Sequence, residues 1–254
     1  MARLKAPELQ RQLRASLQAG KSLGTFIGIP STISYELAAL AGFDWVISDL
    51  EHGENEFSDL ARAVVSFDGP VVARVSSPSA ENISRALDRG AAGIMIPRIS
   101  SFEDLDSALT ALDYPPKGSR GVASYNRSAS WGADQKALLE ADPVAIVQVE
   151  TRFAVHEITE LVKNERVDAL FIGPLDLSYS LGVPRDYSSE VFQSAIASVV
   201  ENCRSAKKPL GILATSAQDA KAYEKQGFDF LVLGSDSTSL LQAFKSQIEA
   251  IRNN

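Results

Sequence analysis

The stretch WVISDLEHGENEFSDLARAVVSFDGPVVARVSSPSAENISRALDRGAAGIMIP, residues 45–97, alternates three short apolar runs with two amphipathic segments. Trp45–Asp49, Val71–Val75 and Gly93–Pro97 are rich in β-branched residues and bounded by Gly, Pro, Ser and Asp, which marks strands. EFSDLARAVVSF and SAENISRALDRG space their apolar residues three and four apart, which marks helices. Strands without an exposed polar face, joined by helices, make a parallel sheet whose outer side the helices cover.

The alternation extends in both directions. Leu23–Ile29, Ala145–Val149, Ala169–Ile172, Leu210–Leu213 and Phe230–Leu233 read as further strands, and SYELAALAGF, SFEDLDSALTAL and SAQDAKAYEKQG as helices. Eight strands exceed the usual five to seven or so of an open doubly wound sheet and point to closure. The expected fold class is α/β, a single (β/α)8 TIM barrel over residues 1–254. A polar amphipathic helix over 1–20 precedes it. A last helix over 237–254 has Leu240, Leu241, Phe244, Ile248 and Ile251 on one face, which suits docking within or between subunits. The irregular segment from Tyr114 to Gly132 is placed on the strand-exit side or wrapping round to it. It reads as a lid or subunit contact, or as a plain surface excursion.

Composition narrows the function. Over 254 residues, 45% hydrophobic and 22% charged content is that of a globular chain, and a net charge of −7 without a basic cluster disfavours nucleic acid. No apolar run is long enough to span a membrane, and the amino terminus has no signal core. One cysteine, Cys203, allows no internal disulfide and no thiolate zinc site. The cytoplasm is the compartment expected.

In a TIM barrel the chemistry lies where the strands end. Asp49, Glu51 and His52 follow the second strand, Arg74 ends the third, Gln148 and Glu150 end the fifth, and Gly173-Pro174-Leu175-Asp176 follows the sixth. Gln148 and Glu150 are two apart and share a strand face. Glu150 and Asp176 offer hard oxygens to Mg²⁺ or Mn²⁺, or Glu150 forms a salt bridge to a barrel arginine. His52 suits a general base near neutral pH, or is a bystander. His156 sits in a helix pattern and reads as structural or solvent-facing. Arg74, within an apolar strand, calls for an anion. No lysine falls within a strand, so an imine-forming aldolase is excluded and aldol chemistry here would need a metal.

DWVISDLEHGENEF, VVARVSSPSAENISRALDRGAAGIMIPRI, YPPKGSRGV, QVET and FIGPLDLSYSLG together resemble the HpcH/HpaI family, over roughly residues 20 to 245. These are class II pyruvate aldolases acting on 4-hydroxy-2-oxoheptanedioate or 2-dehydro-3-deoxyglucarate. The resemblance implies a barrel of the phosphoenolpyruvate/pyruvate type. It also implies reversible aldol cleavage of a 2-keto-4-hydroxy acid to pyruvate and an aldehyde, with Mg²⁺, Mn²⁺ or Co²⁺. Glu150 and Asp176 match the metal ligands, Arg74 the arginine on the keto or enolate oxygen, and Gln148 an amide beside the keto acid. His52 matches the histidine that moves a proton through water. Asp88 matches an aspartate that orients this histidine across a subunit boundary, and Asp49 an acid behind the ligands. Backbone N–H groups around Leu175 and Asp176 would hold the keto acid's carboxylate. Leu175 replaces the small alanine of many relatives, and with Pro174 and Leu213 it would line the aldehyde pocket. A homohexamer built as two trimers is implied as well. Oxaloacetate decarboxylation is a possible side or main activity. A CoA-ester lyase and a non-catalytic binding protein are the remaining alternatives.

Overall fold

The computed structural model describes residues 5–134 and 136–252, so the expected terminal helices extend beyond the described residues at 1–4 and 253–254. Eight parallel strands close into a barrel in sequence order: β1 (Ser22–Ile27), β2 (Trp45–Asp49), β3 (Val71–Arg74), β4 (Gly93–Ile96), β5 (Val144–Val149), β6 (Ala169–Ile172), β7 (Leu210–Ala214) and β8 (Phe230–Ser235). The helices that matter below are α1 (Ala6–Ala19), α2 (Ala80–Asp88), α3 (Phe102–Thr110), α4 (Pro174–Ser180), α5 (Ala217–Gln226) and α6 (Asp236–Arg252). The fold is the (β/α)8 TIM barrel that the alternation predicts. Strand ends move by one or two residues. β4 stops at Ile96 because Pro97 has no N–H to donate.

Two apolar layers hold it. Phe26, Trp45, Ile47, Phe171, Phe230 and Val232 fill the barrel interior, while Val46, Ala73, Ile94, Val147, Ile172 and Leu231 face outward under the helices. Trp45 and Phe230 meet edge to face with ring centroids 5.9 Å apart. α1 closes the bottom with Leu9, Leu13 and Leu17, a stripe at four-residue spacing, each worth about 1.5–3 kcal/mol when fully buried.

The bottom rim repeats one device. Asp44, Asp168 and Asp229 precede β2, β6 and β8, and each accepts the N–H of a residue at the start of the preceding strand: Leu23, Ala145 and Leu210. An aspartate just before a strand thus pins its neighbour's register.

The long segment after α3 requires a correction. It leaves the carboxyl end of a helix and enters β5 at its amino end, so it lies at the bottom of the barrel and not on the strand-exit side. Arg127 N–H donates to Asp88 O at the end of α2, and Asp134 pairs with Lys5 just before α1 at 2.6 Å. A lid over the strand exits is therefore ruled out for Tyr114–Gly132. Its exposed Val122, Tyr125 and Trp131 leave the subunit contact as a proposal.

Candidate active site

Asp49 organises the turn after β2. Its Oδ1 accepts the Arg74 Nε at 2.8 Å and its Oδ2 the Nη2 at 2.6 Å, across the β2–β3 pairing that aligns the two residues. The same Oδ1 takes the N–H groups of Glu51 and His52 at 3.1 and 3.2 Å, which fixes the turn carrying them. Burial works to raise the Asp49 pKa, but the Arg74 guanidinium and these N–H groups prevail and hold it below its ordinary value. Arg74 also lies over the Phe26 ring, 4.4 Å from its centroid.

Glu150, just past β5, is 4% exposed. Its Oε1 accepts Arg98 N–H and its Oε2 accepts Gln148 Nε2, both at 2.7 Å. Burial pushes its pKa from 4.5 to about 7, and the charges of Glu51 and Asp176 add to the rise. Glu51 is also raised by burial, although Arg74, His52 and Arg98 oppose this. Gln148 Oε1 is buried without a partner.

Asp176 lies in the first turn of α4, whose start is set by Gly173 and Pro174. A Cβ on Gly173 would come within 2.8 Å of Glu150 Oε2, so any larger residue there would displace that carboxylate. His52 is 62% exposed, and its Nε2 is 3.9 Å from Glu51 Oε1.

These groups meet at a cavity of about 1050 Å³ opening at the strand exits. Asp49, His52, Arg74 and Gln148 line one part of it, and Pro174, Leu175, Asp176 and Leu213 another. Glu150 sits behind Gln148 and Gly173. Asp88 does not join them within the chain. It ends α2 at the bottom face, and its Oδ1 accepts Arg120 Nη2 at 2.8 Å. His156 is exposed in its helix, as expected. Lys208 caps the carbonyls of Asn164 and Val167 beside the bottom rim, and among the described residues none of the eight strands contains a lysine.

Arg98 is not among the residues expected from the sequence. A cation directly after Pro97, at the end of β4, is the sequence signal for it.

The acid set suits a divalent cation. The charges of Glu51 and Asp176 both act on Glu150, and the orphaned Gln148 Oε1 lies beside it. Among the described residues no three of His, Cys, Asp and Glu converge tightly enough to enclose an ion. Two carboxylates completed by water and a substrate's oxygens are the arrangement these residues permit.

A parallel eight-stranded barrel with an acid-rich cavity at its strand exits belongs to the class of TIM-barrel enzymes. The chain belongs to the HpcH/HpaI aldolase/citrate lyase family, whose model matches residues 22–243. It is 33% identical over 242 residues to a 4-hydroxy-2-oxo-heptane-1,7-dioate aldolase of Shigella boydii, covering 92% of each chain. It is 30% identical over 246 residues to a 2-keto-3-deoxy-L-rhamnonate aldolase of Klebsiella pneumoniae, covering 94% of this chain and 92% of that one. A solved HpcH/HpaI aldolase/citrate lyase family protein from Burkholderia cenocepacia superposes with a TM-score of 0.90. It is 30% identical, with 94% of this chain and 98% of that chain covered. The chain is accordingly a carbon–carbon lyase.

Proposed function

We propose that this lyase cleaves a 2-keto-4-hydroxy acid reversibly to pyruvate and an aldehyde, with Mg²⁺, Mn²⁺ or Co²⁺ held by Glu150 and Asp176. The observation that supports it most is Glu150, a carboxyl buried among other carboxylates whose charge a bound cation would compensate. Such a cation supplies Lewis acidity toward the keto and carboxylate oxygens of the keto acid.

The remaining work falls to the chain's own side chains. Arg74, locked by Asp49, presents positive charge where the enolate oxygen develops its negative charge. The amide of Gln148 faces the keto acid, and the N–H groups around Leu175 and Asp176 at the start of α4 receive its carboxylate. His52 stands exposed on the cavity wall, where it takes the C4 hydroxyl proton through water during cleavage and returns it during condensation. Pro174, Leu175 and Leu213 form the apolar wall that meets the aldehyde.

The assembly proposed is a homohexamer of two trimers. In it Asp88, pinned by Arg120 at one barrel's bottom face, reaches His52 of a neighbour. None of the described residues of α6 is buried, and its Leu240, Leu241, Phe244 and Ile248 face solvent. Leu23, Leu231 and Leu233, on the outer face of β1 and β8, border the cavity. This supports exchange of α6 between copies. Among the described residues no helix is long and apolar enough to cross a membrane, and the cytoplasm is the compartment proposed.

EDTA should abolish cleavage of a 2-keto-4-hydroxy acid, and Mg²⁺, Mn²⁺ or Co²⁺ should restore it. His52→Ala should keep metal and pyruvate binding yet lose about 10²-fold or more in kcat, the usual size of a lost general base. Oxaloacetate decarboxylation should suffer less, because it removes no C4 hydroxyl proton. Full activity in EDTA, or a lysine trapped by borohydride with pyruvate, would overturn the reading.

A further inference from the structure

Arg98 follows Pro97 at the exit of β4 with φ 53°, a left-handed conformation that a residue with a Cβ keeps only where its surroundings demand it. That conformation achieves two things. The backbone N–H turns inward onto Glu150 Oε1 at 2.7 Å. The side chain runs the other way, across the mouth of the barrel, where Nε meets Glu51 Oε1 at 3.2 Å and Nη2 donates to Ser76 O. One residue thus reaches carboxylates that follow β2 and β5.

Glu51 is the more dependent of the two. Its side chain is buried, and its Oε1 faces both Arg98 Nε and His52 Nε2, the latter at 3.9 Å. Arg74 approaches the other oxygen only at 3.5 Å, because its short hydrogen bonds go to Asp49. Arg98 Nε is thus the nearest guanidinium nitrogen to Glu51, from a side chain 57% exposed, while the buried Arg74 exerts the larger charge effect. At 3.9 Å the pair with His52 is within ion-pair reach but too long for a hydrogen bond. The imidazole then depends on how firmly Glu51 is held.

We propose that Arg98 is a positioning residue whose guanidinium holds Glu51 in front of His52, so that a group of its own chain helps to orient the imidazole beside the Asp88 proposed to reach it from a neighbour. Its backbone N–H is a separate device that fixes Glu150. The kinetic consequence rests on the aldolase reading above; the orientation itself does not.

Glycine separates the two devices, since it adopts a positive φ freely and keeps the N–H. Arg98→Gly should lower kcat for aldol cleavage about tenfold or more, the scale of a misplaced catalytic group. Mn²⁺ affinity, measured from the paramagnetic resonance signal of free Mn²⁺, should stay within about twofold if Glu150 keeps its N–H. Glu51→Gln should behave alike. The double variant should be no worse than the poorer single, because coupled groups do not add. Arg98→Lys should recover part of kcat.

The chain has 2 histidines, so ¹⁵N spectra of the imidazoles read the orientation without any turnover. His52 should shift in Arg98→Gly and in Glu51→Gln, while His156 stays in place. If Arg98→Gly does not fold, Arg98→Lys with Glu51→Gln completes the same cycle. Unmoved His52 resonances, strictly multiplicative losses in kcat, or Mn²⁺ affinity falling in step with kcat would each overturn the proposal. Failure of the wild type to cleave any 2-keto-4-hydroxy acid would instead refute the aldolase reading and leave the spectra to decide on Arg98.

Discussion

At the bottom of the barrel Asp168 receives Arg14 Nε at 2.8 Å, Arg166 Nη1 at 3.3 Å and the N–H of Ala145 at 2.8 Å. At the top Glu150 receives one N–H and one amide, and its nearest charges include Glu51 and Asp176. Both carboxylates are shielded from water. The first is surrounded by cations and donors; the second has two neutral donors and the field of Arg74 against burial, Glu51 and Asp176. Arg166 is used the same way at the bottom, where it joins Asp113, Asp168 and the carbonyl of Pro143. The bottom holds the fold together, while the top keeps a surplus of negative charge of the kind a cation would relieve. The loop after α3 is the exception at the bottom. Arg120 is buried there with Nε and Nη1 unpartnered, beside an unpartnered Tyr114 hydroxyl.

Substitution at Glu150 should break the contrast most sharply. Its pKa of about 7 exceeds the ordinary 4.5, so the folded state binds this proton more tightly than the unfolded state does. That contribution is fully present below about 4.5 and is lost as pH rises to about 7. The gap corresponds to about 3 kcal/mol. Glu150→Gln should therefore abolish metal binding and turnover, yet raise the Tm of the metal-free protein at pH 8. At pH 5, where the wild type is already protonated, the two should melt together. Thermal scans in EDTA at the two pH values check this; a metal-free variant that melts lower than wild type at pH 8 would contradict it.

The bottom face should respond in the opposite sense. Asp168→Asn keeps an acceptor for Ala145 N–H but strips the charge from Arg14 and Arg166, both largely shielded. Allowing for partial solvent screening, the loss should be about 1–3 kcal/mol, seen as a lower urea midpoint. Metal affinity and kcat should not move. A fall in kcat at unchanged stability would show that the two ends are not separable.

Leu175 should give the smallest effect and the finest distinction. It is 41% exposed beside Asp176 on the cavity wall. Leu175→Ala should raise kcat/KM for long or branched aldehydes over glycolaldehyde, by a ratio worth about 1–3 kcal/mol. Pyruvate binding should stay unchanged. An unaltered aldehyde profile with weakened pyruvate binding would move Leu175 from the aldehyde wall to the keto-acid site.

Much of the site was legible because a barrel turns order along the chain into position around a rim. Asp49, Arg74, Gln148 and Asp176 could be placed by noting where apolar runs stop. Glu51 and Arg98 were harder to read. Glu51 stands beside a more conspicuous histidine, and Arg98 matters through a left-handed backbone that leaves no mark in the sequence. The loop from Tyr114 to Gly132 was misplaced for a related reason. Its length and composition suggest function, but only the helix-to-strand direction of the chain sends it to the bottom face.

By itself the sequence determined the parallel barrel, the amphipathic first helix, the lack of a lysine in the eight strands and the family. Each depends on local periodicity or residue identity, which short-range sterics and burial translate directly into structure. Tertiary structure alone decided that Glu150 is buried within the field of Glu51 and Asp176, that Arg98 bridges two strand exits, and that Asp88 faces away from its own histidine. Those facts depend on distances between residues far apart in the chain. Desolvation and charge act over a few ångströms of space, whatever the separation in sequence.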